Sequence, residues 1–264
     1  MAYSLLALLD DVAAVMDDVG VMTKVALKKT SAVMSDDLAV NANQVDGVHS
    51  TRELPIVWSI FKGSLLNKVI AISSILLIDY IYSPVNTILL IAGGLFLSYE
   101  GMHKVVDYFF KVEKISKEAS SEQERIKGAV RTDLVLSAEI IMLAKSYISG
   151  AYLEVVSTLC IVGLLASIII YGLVAIIVKV DDFGSYLALR GHKRIGISLL
   201  NSMPVFMKLL SIVGTIAMFL VAGGIFTHSF HIQVIPLEFL QNFIFGVISG
   251  GISLYFVILI NKLK

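Results

Sequence analysis

Apolar residues run along this chain in blocks too long and too continuous to be the buried faces of ordinary amphipathic helices. Six blocks reach the ~17–25 helical residues that cross ~30 Å of hydrocarbon. They lie near 65–82, 85–102, 132–149, 155–178, 205–227 and 239–260. Ser83-Pro84 is a turn dipeptide between the first two, and Tyr80 and Tyr82 precede it as interfacial aromatics, so that pair reads as a helical hairpin. Ahead of the blocks, Leu5, Leu8, Val12, Val15, Met16 and Val19 share one arc of a helical wheel. Asp10, Asp11, Asp17 and Asp18 take the opposite side, which Lys24, Lys28 and Lys29 continue. The pattern predicts an all-α fold: a polytopic transmembrane helix bundle of about six spans over 64–264, preceded over 1–63 by an N-terminal amphipathic, acidic helical segment.

Within that segment Gly20 is a break point between two shorter helices. "SDDLAVNANQVDGVHSTRELPIVW" reads as a capped turn and cytoplasmic linker, with Pro55 interrupting any helix into Trp58. "KVEKISKEASSEQERIKG", residues 111–128, alternates charge signs and reads as the solvated helical part of a cytoplasmic loop near 103–131.

Composition places the chain in the membrane class, since 57% of its 264 residues are hydrophobic and only 16% charged. No cleavable signal peptide is expected, because the N-terminus lacks a basic flank and Asp10 and Asp11 interrupt its apolar run. The single cysteine, Cys160, excludes an internal disulfide and reads as a small core residue. A formal net charge of zero and dispersed basic residues argue against a nucleic-acid partner, which leaves the lipid bilayer. Six crossings would put twenty of the twenty-one Lys and Arg residues on one face. By the positive-inside rule that face is cytoplasmic, and both termini would share it.

The basic residue left over is Lys145, in the span that is hardest to insert. "TDLVLSAEIIMLAKSYI" carries Asp133 at its inner edge, Glu139 near its middle and Lys145 toward its outer end. A central charge costs ~2.5–3.5 kcal/mol on the insertion scale while each Leu or Ile returns ~0.3–0.6, so this span needs its neighbours. Glu139 and Lys145 stand roughly 240° apart around a helix and do not pair on one face. Two readings stay open. Lys145 snorkels to the interface while Glu139 is protonated or hydrogen-bonded inside the bundle, or Glu139 carries a proton or cation along a pathway. Asp79, one turn from the outer end of the first span, is either interfacial or answers Lys145 across the bundle. Glu139, Lys145 and Asp79 are therefore the candidate residues of a transport path or polar site.

A cytoplasmic acidic cluster is the second candidate: Asp10, Asp11, Asp17 and Asp18, joined by Asp181 and Asp182. An interfacial helix bound to anionic lipid carries bases on its polar face, so the acidic helix should instead pack on the cytoplasmic side of the bundle or partly enter it. Pairing with the protein's own Lys and Arg is favoured over a hard cation, because no EF-hand or other ligand spacing is present. No metal or cofactor is expected. His228 and His231 stand three apart but are too few for a site. "DDVGVMTKVALKK" at Asp17 echoes "DDFGSYLALRGHKR" at Asp181, and "SLLN" recurs at Ser64 and Ser198, a weak sign of parallel duplicated halves. Glycines, including Gly93-Gly94, Gly223-Gly224 and Gly246-x-x-x-Gly250, mark packing seams that suit a monomer or a homo-oligomer equally. No G-x-S-x-G, H-E-x-x-H, P-loop or G-x-G-x-x-G motif occurs, so an enzyme is not expected.

"SLLALLDDVAAVMDDVGVMTKVALKKTSAVMSDDLAVNANQV", "RELPIVWSIFKGSLLNK", "GGLFLSYEGMHKV", "RTDLVLSAEI" and "YGLVAIIVKVDDFG" together resemble the bacterial inner-membrane family typified by YedI, a domain family of unknown function. The resemblance covers almost the whole chain and implies an integral, multi-pass protein of the bacterial cytoplasmic membrane. It brings no substrate, reaction or catalytic residue. The physical reading gives a small transporter or permease that uses Glu139, with Asp79 and Lys145, to pass an unidentified solute or ion. The alternative is a structural or regulatory protein that docks a partner on its charged cytoplasmic layer.

Overall fold

A computed structural model describes residues 2–45, 50–82, 85–110, 122–190, 192–230, 232 and 234–263. Among them are seven helices and no strand: α1 Ala2–Val45, α2 Ser50–Ile81, α3 Val85–Phe110, α4 Glu122–Ser146, α5 Tyr152–Leu189, α6 Lys193–Ser229 and α7 Glu238–Leu263. The Ser83-Pro84 turn and most of the 111–128 loop lie outside the described residues. Four helices are long and apolar enough to cross a membrane, over Arg52–Ile81, Tyr152–Leu189, Lys193–Ser229 and Glu238–Ile260. Their outward faces carry large apolar side chains such as Leu66, Ile168, Val213 and Phe256, so lipid takes the place that water has around a soluble bundle. The chain has the architecture of a helical membrane protein. Cys160 is exposed on α5 rather than packed in the core.

α1 is one continuous helix, and it runs through the bundle rather than over its end. Its middle, at Ala26, packs with Ile75 and Leu76 of α2, Ile148, and Val155 and Leu159 of α5. Its C-terminal turns, at Ala42 and Val45, pack with Ile56 and Ile60 of α2 and Val174 and Val178 of α5. α1 is thus antiparallel to α2, parallel to α5 and as deep as either. This corrects the capped turn and linker expected at Ser35-Asp36-Asp37, because Asp36 and Asp37 lie inside the helix and are buried. Gly20 does not divide α1: the chain is helical through it, and a Cβ there would meet nothing within 4 Å. Pro55 also lies within a helix. It stands near the start of α2, where a missing N–H costs one early ladder bond, and Ser59 Oγ donates 2.8 Å to its carbonyl.

The α3–α4 and α5–α6 connections share one end of the bundle, here termed the basic end, and the α2–α3, α4–α5 and α6–α7 connections share the opposite end. The depth of α1 changes the expected sorting of charge. Lys29 lies 5.3 Å from the ring centroid of Tyr147, just beyond α4, so Lys24, Lys28 and Lys29 belong to the opposite end with Lys145. Lys68 is buried inside the bundle. The exposed aspartates Asp10, Asp11, Asp17 and Asp18 project beyond that opposite end, whereas α7 finishes at the basic end. The first turns of α1 and the last turns of α7 therefore lie toward opposite ends of the bundle, and the acidic stretch of α1 does not cover the basic end as expected.

Helix α7 has only 11% of its apolar window buried. It is held by glycine: a Cβ at Gly246 would overlap the Phe219 carbonyl of α6, one at Gly223 the Asn242 carbonyl of α7, and one at Gly250 the Ser98 carbonyl of α3. Backbone-to-backbone approach of this kind requires the absence of a side chain. No duplicated pair of halves emerges. Ser64 and Asn67 are buried while Ser198 and Asn201 are exposed, and the two Asp-Asp-x-Gly tetrads lie toward opposite ends of the bundle.

Candidate functional site

A layer of polar side chains crosses the apolar interior at the mid-depth of the bundle. Helical spacing gathers it: Ser64, Asn67 and Lys68 share one face of α2, Asp133 and Ser137 one face of α4, and Glu100 and Lys104 one face of α3. Two ion pairs anchor the layer. In the first, Asp133 of α4 accepts hydrogen bonds on Oδ1 from Ser64 Oγ at 2.9 Å and the Tyr171 hydroxyl of α5 at 2.8 Å. Its Oδ2 accepts from Asn67 Nδ2 and Ser137 Oγ, both at 3.0 Å. Lys68 Nζ, 4.0 Å from Asp133 Oδ1, donates to Ser64 Oγ at 2.8 Å and Ser137 Oγ at 3.1 Å. Every lone pair needed to hold a desolvated carboxylate is engaged, which is the condition for a buried charge to persist. Tyr171 also lies 3.1 Å from Asn41 Oδ1, tying α1 to the pair.

In the second, Lys104 of α3 reaches Asp36 Oδ2 of α1 at 2.6 Å and Glu100 Oε1 at 3.1 Å. Met218 Sδ of α6 is 3.9 Å from the same ammonium.

Between these pairs are two carboxyl groups that the pairs do not satisfy. Glu139 is 5% exposed, and among the described residues neither Oε1 nor Oε2 has a hydrogen-bond partner. Asp37 is 2% exposed and its Oδ1 has none either. Glu139 stands within electrostatic reach of Glu100, Asp37, Asp36 and Lys104. Asp37 in turn feels Asp36, Lys68, Asp133 and Glu100. The buried interior thus holds Asp36, Asp37, Asp133 and Glu139 against Lys68, while Glu100 and Lys104, their side chains each 25% exposed, stand at its edge. An ionised carboxylate left without a partner at such depth is expensive, so Asp37 and Glu139 are the two groups that lack compensating charge when ionised.

The other expected site residues are partly gathered. Lys145 and Asp79 meet as an ion pair, Nζ to Oδ2 at 3.2 Å, near the opposite end of the bundle. Neither pairs with Glu139. The acidic cluster is not brought together: Asp10, Asp11, Asp17 and Asp18 are exposed along α1 with no ion pair among the described residues, and Asp182 bonds to Lys179 at 2.6 Å. The side chain of Asp181 and all of His231 lie outside the described residues. Asp36, Asp37, Lys68 and Lys104 are residues that sequence reasoning missed, and the i, i+3 and i+4 spacings given above are the signal that points to the polar faces of Lys68 and Lys104.

The model of one protein family, "Protein of unknown function (DUF808)", matches residues 3–254. The chain belongs to this family. Its membership fits the YedI-like resemblance and covers every residue of the polar layer. No curated protein and no solved structure matches the chain.

Proposed function

We propose that this protein is a small transporter or permease of the bacterial cytoplasmic membrane, in which Glu139 binds the moving proton or cation. One observation carries the reading: a carboxyl group buried at mid-depth with both oxygens lacking a partner, where intramembrane ionisable residues ordinarily mark ion or substrate pathways. In this reading α3 and α4 cross the bilayer with the four most apolar helices, which completes the six spans, and α1 crosses beside them. The basic end faces the cytoplasm. The Asp79–Lys145 pair closes the outer part of the path.

The chain is then in an occluded state. One cavity of ≈ 170 Å³ lies between α1 and α5 against Leu27, Met34, Leu38 and Ile170. Another, of ≈ 830 Å³, is an open concavity along Lys193–Ser202 of α6. Among the described residues neither touches Glu139, and in this reading access comes by movement of one group of helices against another, as in alternating-access carriers. The test is ion flux in proteoliposomes. Glu139→Gln should abolish flux while the purified protein keeps its elution volume and melting behaviour, and undiminished flux would remove Glu139 from the mechanism.

A docking role is the second reading, favoured by the exposed aspartates that α1 carries beyond the bundle. It predicts that charge reversal at Asp17 and Asp18 releases a bound partner in a pull-down, and capture that is indifferent to the reversal counts against it.

A further inference from the structure

Glu139 does not sit alone. Asp37 is equally buried, on a different helix, and it too presents an oxygen with no partner among the described residues. The two belong to α4 and α1, elements far apart in sequence whose flanking residues Met34, Leu38, Ile140 and Leu143 share one buried core, and Glu139 lies within electrostatic reach of Asp37. The charged groups facing them are Asp36 on α1, Lys68 on α2, Glu100 and Lys104 on α3, and Asp133 on α4. Of these, Lys68 and Asp133 neutralise one another. Lys104 is shared between Asp36 and Glu100. Among the described residues no further internal cation is left for Asp37 and Glu139.

What fills such a site is decided by the ligands available. Among the described residues no three His, Cys, Asp or Glu side chains come together closely enough to hold a metal ion. Divalent cations need several oxygen ligands at once, six or more for Ca2+. A proton needs one acceptor. We propose that Asp37 and Glu139 are the two halves of one proton-exchange site between α1 and α4, loaded and emptied as the bundle opens to either side. Each proton enters by forming an O–H bond to a carboxylate oxygen and leaves to water by breaking it. No electron changes hands and no co-reactant is needed. The inference rests on the transport reading of Glu139 and adds both the ion and its second acceptor.

Full-length protein in liposomes that enclose a pH-sensitive dye, with a potassium diffusion potential as the driving force, tests it. Asp37→Asn should lower proton flux by about a hundredfold, the scale on which a positioned acid–base group acts, while Asp37→Glu retains flux. Replacing sodium by choline on both sides should leave wild-type flux unchanged, and a requirement for sodium would overturn the proton assignment. Wild-type flux in Asp37→Asn beside lost flux in Glu139→Gln would overturn the inference and leave the transport reading standing. Wild-type flux in Glu139→Gln would overturn the reading beneath it. Should Asp37→Asn fail to fold, Asp37→Glu decides: a carboxyl moved by one methylene must shift the pH of half-maximal flux, and a profile that superimposes on wild type overturns the proposal.

Discussion

Lys104 Nζ lies 2.6 Å from Asp36 Oδ2, and the aspartate end of that contact is only 1% exposed. The pair joins α3 to α1 through the middle of the bundle, and it stabilises α1 at a depth that the sequence around Asp36 would not choose. Lys104→Met should therefore strand a buried carboxylate and cost about 3–5 kcal/mol, as breaking one side of a buried pair does. Converting both partners, Lys104→Met with Asp36→Leu, should recover most of that loss. Thermal melts of the purified single and double variants in detergent give the comparison, and a double variant no better than the single would show the pair to be unimportant.

The Asp133 cluster should grade its losses by charge. Tyr171→Phe removes one of four hydrogen bonds to that carboxylate and its link to Asn41, for about 1–2 kcal/mol. Lys68→Met removes the one cation paired with it among the described residues and should cost more than Tyr171→Phe in the same melts.

Much of the bundle was legible because lipid imposes a simple demand: about 20 apolar residues per crossing, written without interruption. Glu139 stood out because it breaks such a run. Asp36 and Asp37 did not, because "SDDLAVNANQ" has the Ser, Asp and Asn residues that favour caps and turns, and local preference there opposes the helix. The partners that override it, Lys104 on α3 and Tyr171 on α5 through Asn41, lie far away in the chain. Lys68 was sorted with the cytoplasmic bases because it stands near the start of an apolar block. Only the neighbouring helices reveal that α2 is already well inside the bundle there.

Sidedness follows from the depth of α1. In a Cys160→Ser background, Ala13→Cys and Gln123→Cys, both exposed, lie beyond opposite ends of the bundle. A membrane-impermeant maleimide added to right-side-out vesicles should label Ala13→Cys alone, and inverted vesicles should give the reverse. Labelling of both from the same side would refute a bundle-crossing α1.

Glycine substitutions should separate by what surrounds them. Gly20→Ala enters open space in the middle of a helix and should stabilise α1 by up to about 1 kcal/mol, seen as slower amide exchange around residue 20. Gly246→Ala meets the Phe219 carbonyl and should destabilise the α6–α7 contact by about 1–3 kcal/mol, the usual scale of overpacking. Equal effects at the two positions would mean that the close approach of α6 and α7 does not matter to the fold.

The outward positions of α7, Ile248, Ile252, Tyr255, Phe256 and Leu259 among them, turn much of their surface away from the rest of the bundle and toward the hydrocarbon. Swapping one greasy residue for another there is a transaction with the solvent. A single methyl at Gly246 or Gly250 instead reaches the main chain of a neighbouring helix. Tolerance to change in this molecule is consequently partitioned by which atoms a position touches, and the least forgiving sites are those with no side chain at all.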